Sequence, residues 1–139
     1  MSDFKDFMLN NVEPIENEVE VKLSRFKSPF RVKALTSAEE QECRNEATKK
    51  TKIGKNRFRS ELDTLQYQNL LALKAITYPN LNDIDLQNSY NKPNKPPIKS
   101  AEQLLLAMFK AGELLALIGK INEISGFDED TDLVEEAKN

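Results

Sequence analysis

The residues able to do chemistry in this chain are its charged ones, because the usual catalytic types are almost absent. There is no histidine and a single cysteine, Cys43. Lack of histidine removes the commonest general base and the commonest metal ligand together. One thiol cannot build a zinc site of Cys and His type. The glycines stand at positions 54, 112, 119 and 126 and form neither G-x-x-x-x-G-K-[ST] nor G-x-G-x-x-G, so no phosphate cradle is written here. Carboxylates remain. Asp128, Glu129, Asp130 and Asp132 have the spacing of a calcium-loop start, but Leu133 and Asn139 stand where such a loop needs its glycine and its bidentate glutamate. The ordinary reading is a solvated acidic helix start, favoured by the helix dipole. No catalytic residue, metal or cofactor is expected.

The other charged feature is basic. Lys49, Lys50, Lys52, Lys55, Arg57 and Arg59 crowd one short stretch that also holds Phe58. Such a segment could neutralise phosphates, with Phe58 stacking on a base. Against a nucleic-acid regulator acting through 49–59 stand a pI near 5.2 and the lack of any recognised binding motif. A solvated loop, or a contact for an acidic partner protein, fits better. Charge is uneven along the whole chain. Residues 1–21 hold six acids and one base, residues 22–60 twelve bases and four acids, and residues 123–139 seven acids and one base. A net charge of −3 therefore hides a basic middle between acidic ends, which bears on partners rather than on fold.

A chain of 139 residues, 39% hydrophobic and 31% charged, suits one soluble globular domain with a real core. No apolar run approaches the ~20 residues of a membrane span. The opening MSDFKDFMLNNV is acidic and lacks the basic start of a secretory signal. A single cysteine cannot form an intrachain disulfide and fits a reducing cytoplasm.

The elements follow from periodicity. Ser2 or Asp3 can cap a first helix carrying Phe4, Phe7 and Met8, which Pro14 ends. Val19, Val21 and Leu23 alternate with charged residues, as do Phe30, Val32 and Ala34, with Lys27-Ser28-Pro29 between them. This predicts a β-hairpin over 18–26 and 29–35, covered by helices because a lone hairpin is marginal in water. Thr36 and Glu39 form a capping box for a polar helix over about 37–50, on which only Ala38, Cys43 and Ala47 are apolar. The period then fails, and 49–62 reads as a loop, mobile over Lys49 to Arg59, with a short extended piece near Arg57 to Ser60. Asp63 or Thr64 starts a helix apolar on more than one face, through Leu65, Leu70, Leu71, Leu73 and Ile76, until Tyr78-Pro79 stops it. Asn82 caps a short helix to Ser89. Residues 91–99, NKPNKPPIK, form an exposed proline-rich loop. The fold class is α+β, a mostly α-helical single domain with an N-terminal β-hairpin.

The last third is built for contact. Ser100 and Gln103 have the form of a capping box, Gly112 breaks the following stretch, Gly126 suits a helix end, and Leu133, Val134 and Ala137 stripe a final short helix. Leu104, Leu105, Leu106, Met108, Phe109, Leu114, Leu115, Leu117 and Ile118 exceed one helical stripe. Any one of them belongs first to the core. The surplus predicts an exposed apolar patch for a protein partner, with Leu105, Met108, Phe109 and Leu114 as candidate contacts.

Together these segments carry a resemblance. Tyr78-Pro79-Asn80-Leu81-Asn82-Asp83, Leu86-Gln87-Asn88-Ser89-Tyr90, Ala111-Gly112-Glu113, Asn122-Glu123-Ile124-Ser125-Gly126-Phe127 and Leu133 to Asn139 occur in an order similar to the XkdN-like family of phage tail assembly chaperones. The similarity extends to Asn10-Asn11-Val12-Glu13 and to the Thr36 to Glu39 helix start. The proline-rich loop is a local departure. The resemblance implies a non-catalytic chaperone of a phage or prophage, acting in the host cytoplasm. Its partners would be the tape measure protein and the tail tube protein. It would leave before the virion is finished, and weak self-association suits several copies per tape measure. Many such chaperones are made in two lengths by a −1 frameshift, and Ala137-Lys138-Asn139 admits a slippery heptamer.

Overall fold

A computed structural model describes residues 3–15 and 18–127. Helices make up 47% of the described residues and strands 20%, so the fold is α+β, with more sheet than a mostly helical reading allows. The final helix expected around Leu133, Val134 and Ala137, and the acidic connector before it, lie outside the described residues.

The expected hairpin is present but shorter. Strands β1 (Glu18–Val21) and β2 (Phe30–Lys33) pair antiparallel with Val19 opposite Val32 and Val21 opposite Phe30. Val32 and Phe30 are buried, as the alternation requires. After β2 the Thr36 hydroxyl accepts the Glu39 N–H while Glu39 accepts the Thr36 N–H, a complete capping box. It opens α1 (Ser37–Ala47), which buries Cys43 and Ala47. Burial pushes the Cys43 thiol up from its ordinary pKa, so it stays protonated as a small apolar core residue.

The stretch 49–62 corrects the loop reading. Thr48–Gly54 is strand β3 and Arg57–Leu62 is strand β4, paired antiparallel with Lys50 opposite Ser60 and Lys52 opposite Phe58. Lys55 and Asn56 make the turn, and Asn56 takes the left-handed conformation at φ 63° that asparagine tolerates. Periodicity failed there because neither face is buried.

Asp63 caps α2 (Thr64–Ala75) by accepting the Gln66 N–H. This helix carries Leu71, Ala72 and Ala75 into the core but leaves Leu65 exposed. It ends before the proline: Ile76–Tyr78 forms strand β5, which pairs antiparallel with β2 and completes a sheet of order β1-β2-β5. β-Branched and aromatic residues there favour the pleated surface over another helical turn. Asp83, rather than Asn82, caps α3 (Ile84–Ser89).

Helices α4 (Ala101–Met108) and α5 (Ala111–Ile124) close the core against α2. The Ser100 hydroxyl caps α4, but Gln103 reaches back to the Lys99 N–H, so the box is not reciprocal. The break falls at Phe109-Lys110; Gly112 lies inside the first turn of α5. At the far end Gly126, at φ 83°, lets its own N–H reach the Glu123 carbonyl and the Phe127 N–H reach the Asn122 carbonyl. This is a Schellman termination. The Ser125 hydroxyl accepts the Leu35 N–H at 3.0 Å and ties that end to the chain leaving β2.

Helices α1 and α2 are also joined by a polar contact. Tyr67 donates its hydroxyl to Glu40 at 2.7 Å, and Arg44 donates to the same carboxylate oxygen. Burial, and then the Glu40 carboxylate, push the Tyr67 phenol up to about 12. Tyr67→Phe is expected to cost about 1.5–3 kcal/mol, the worth of a hydrogen bond to a charged acceptor. Urea unfolding measures it, and an unchanged midpoint would remove this bridge from the account.

Candidate interaction surface

The patch expected at Leu105, Met108, Phe109 and Leu114 is not open. Leu105 is fully buried, Met108 and Phe109 are buried, and Leu114 is half-buried against the core. The physical reason is phase: Leu104, Leu105 and Met108 form the single core-facing stripe of α4, while Leu106 and Ala107 lie on its outer side. Phe109 packs on Phe30 at a centroid distance of 5.1 Å and on Phe26 at 5.7 Å, below the sheet. Arg25 finishes the corner. Its guanidinium donates to both Glu113 oxygens, at 2.7–3.2 Å, and to the Met108 carbonyl at 2.6 Å. Glu113 also accepts the Lys110 N–H at 2.7 Å. Arg25 first, then that backbone donor, hold the Glu113 carboxyl down to about 2. The Ala111-Gly112-Glu113 segment is thus a structural clamp.

The apolar surface that remains free lies beside those residues. Leu106 and Leu115 are 58% and 62% exposed. Leu106 lines a groove of ≈ 330 Å³ with Ala107, Tyr90, Lys92, Lys95, Pro96 and Ile98, walled by the proline-rich loop. On α5, Gly112, Leu115, Ala116 and Gly119 are exposed at helical spacing, and a Cβ on either glycine would meet nothing within 4 Å. A flat outward face with one leucine in its middle results. The sequence signal that could have separated these from the core residues is phase: on α5, Leu117, Ile118 and Ile121 share the buried side, and Leu115 with Gly119 shares the other.

Two further surfaces expose apolar side chains. Residues 3–15 form two short 3₁₀ turns, Phe4–Phe7 and Leu9–Asn11, rather than one helix, and no Asp3 side-chain cap is made. Every residue of this arm is exposed, with Phe4, Phe7 and Leu9 at 71–86%. The β3–β4 hairpin shows Ile53 and Phe58 among its bases, both more than 60% exposed. Among the described residues no cluster of three metal-ligating side chains occurs, and no helix is long and apolar enough to cross a membrane. What the surface offers is apolar area and charge of both signs, which is the chemistry of protein contact.

The comparisons with known proteins agree with that reading. The sequence profile of the phage XkdN-like tail assembly chaperone family matches residues 4–138. The chain belongs to this family. Among individual relatives it is 34% identical over 113 residues to the Bacillus subtilis (strain 168) protein YqbN, itself uncharacterised, covering 80% of this chain and 72% of that one. It is 32% identical over the same length and shares to the phage-like element PBSX protein XkdN of the same organism. The crystal structure of YqbN superposes with a TM-score of 0.70 at 25% identity, covering 92% of this chain and 99% of the other.

Proposed function

We propose that this chain is a non-catalytic chaperone of phage or prophage tail assembly that binds the tape measure protein and tail tube subunits. It would act in the cytoplasm of the bacterial host and be absent from the finished virion. The family match over residues 4–138 carries the reading. The exposed apolar side chains beside α4 and α5 support it physically. A long helical partner with apolar stripes aggregates unless those stripes are covered, and a groove with an apolar floor receives a helix face in the helix-in-groove mode. Leu106 in its groove and Leu115 on the flat face of α5 are the contacts we assign. Leu105, Met108, Phe109 and Leu114 lie beneath them and hold the two helices in place.

Co-expression tests the reading. With a tape measure protein from the same gene cluster, the wild-type chain should keep the partner in the soluble fraction and co-purify with it. The double variant Leu106→Asp with Leu115→Asp should fold normally yet lose more than tenfold of the co-purifying partner. Equal recovery by a folded double variant removes this face, and a tape measure protein that stays insoluble with wild type removes the function.

A second reading, a nucleic-acid regulator acting through 49–59, draws on the ribbon shape of the basic hairpin, since two-stranded ribbons enter the major groove. The acidic balance of the chain and the apolar residues among those bases favour a protein ligand instead.

A further inference from the structure

The two faces of the β3–β4 hairpin differ in charge. Successive side chains of a strand alternate between faces, and directly opposed residues share one. On one side Lys49 stands opposite Glu61 and Thr51 opposite Arg59. The cations of that pairing are already answered, Lys49 by Asp63 at 3.4 Å and Arg59 by Glu61 at 3.1 Å. The other side holds Lys50 opposite Ser60, Lys52 opposite Phe58, and Leu62 at its root. Among the described residues no carboxylate pairs with Lys50 or Lys52. Phe58 is 63% exposed and Leu62 37%. This face is basic around an apolar centre, and it is open to solvent.

Phe127, the last described residue, lies near the root of that hairpin. It shares a cavity of ≈ 220 Å³ with Thr64 and Tyr67, at the start of α2. Only Asp63 separates Thr64 from Leu62, the last residue of β4. Residues 128–139 continue from Phe127. They carry Asp128, Glu129, Asp130, Asp132, Glu135 and Glu136 against Lys138, with Leu133 and Val134 between the acids. Strand β4, at six residues, is about 20 Å long. The segment 128–139 can reach ~40 Å if extended and ~18 Å if helical, enough to run along the hairpin in either form.

We propose that residues 128–139 seat on the face of the hairpin formed by Lys50, Lys52 and Phe58 in the same chain. Their carboxylates answer the two lysines, and Leu133 and Val134 cover Phe58 and Leu62. Exposed ion pairs are weak one at a time. A short tether holds the segment at about millimolar effective concentration, so several weak contacts suffice. A free acidic protein or a polyanion in solution lacks that advantage. The segment thus guards the hairpin: an acidic ligand reaches Lys50 and Lys52 only by displacing it. The inference concerns a single copy of the chain and does not rest on the tape measure reading.

A spin label tests it on the full chain. Thr51→Cys puts the accessible thiol on the opposite face of the hairpin, since Cys43 is buried. In the 15N-labelled protein the nitroxide should remove most of the amide signal across residues 130–137. The signal should return at about 1 M salt, where screening acts within ~3 Å. Lys50→Glu with Lys52→Glu should restore it too, as should Asp130→Lys with Asp132→Lys and Glu135→Lys. All five changes together should bring the broadening back. Circular dichroism checks each fold. Gln or Asn replaces any reversal that lowers the melting temperature, with a smaller effect in the same direction. Spin-labelled chains without 15N, mixed with 15N chains without the label, should broaden nothing. Poly-glutamate reads the guarding separately. Neutralising Asp130, Asp132 and Glu135 to Asn, Asn and Gln should tighten its binding at least threefold, and Lys50→Glu with Lys52→Glu should abolish that gain. Full amide signal with the label in otherwise wild-type protein overturns the proposal. So does broadening that survives both reversals, broadening as strong between chains as within one, or a poly-glutamate affinity unchanged by the neutral set.

Discussion

Leu105→Asp will prevent folding, while Leu106→Asp, one residue further along the same helix, will leave the fold and its melting temperature nearly unchanged. Leu105 is fully buried in the core with Leu104, Leu117 and Ile121, whereas Leu106 is 58% exposed. Truncation of a leucine so placed costs about 3 kcal/mol through lost transfer energy and the cavity left behind. A typical domain has only about 5–15 kcal/mol in total. Aspartate is worse than alanine, since it adds a carboxylate with no partner in an apolar site. At Leu106 neither term arises, and surface substitutions usually fall within about 0.5 kcal/mol. Soluble yield and thermal melts followed by circular dichroism separate the two. The pair also protects the functional test, because loss of partner binding by the Leu106 variant cannot then be blamed on unfolding. A stable, folded Leu105→Asp variant would show that α4 does not sit in the core as described.

How far the sequence could be read depended on burial. The β1–β2 hairpin, the Thr36 capping box, the Asp63 or Thr64 start of α2 and the Gly126 helix end were legible, because each pairs a residue type with a physical need that is local. Strand β5 was not legible: Ile76 continues the apolar run of α2, and only the tertiary partner β2 decides that it leaves the helix. The β3–β4 hairpin was hidden for the opposite reason. With both faces in water its residues show no hydrophobic alternation, and only Thr48, Thr51, Ile53 and the Gly54-Lys55-Asn56 turn hinted at it. For the contact surface, composition announced a surplus of apolar residues but not its phase. Leu105, Met108 and Phe109 are buried rather than exposed: Phe26 and Phe30, far away in sequence, pack on Phe109, and Leu105 and Met108 lie in the same core cluster. The exposed arm was misread as an ordinary amphipathic helix. Nothing local distinguishes an apolar stripe that packs on its own core from one left open to solvent.

Replacing Glu113 by glutamine should flatten the acid limb of the stability curve. The Glu113 carboxyl titrates at about 2 in the folded chain, held down by Arg25 and by the Lys110 N–H. In the unfolded chain it titrates near the ordinary ~4.3. The charged form is therefore favoured by folding. Its contribution is fully present above the unfolded value, declines as pH falls below ~5, and is gone once the folded group is protonated near pH 2. Glu113→Gln should melt below wild type at neutral pH, and the gap should close as pH drops through that window. Arg25→Gln should give the same closing gap, because it removes the first cause of the shift. Glu39 and Glu40 are also held below the ordinary carboxylate range, by Lys33 and by Tyr67 with Arg44 respectively, so both variants keep part of the acid limb. Melting curves that stay parallel from pH 7 to pH 2 would mean that the clamp adds nothing through its charge. The clamp matters beyond stability, since Arg25 also holds the Met108 carbonyl and so fixes the corner between α4 and α5. Leu106 lies just before that corner and Leu115 just after it. A chain that loses the clamp while staying folded should bind its partner less well at neutral pH, with the deficit shrinking on acidification as wild type loses the same contact.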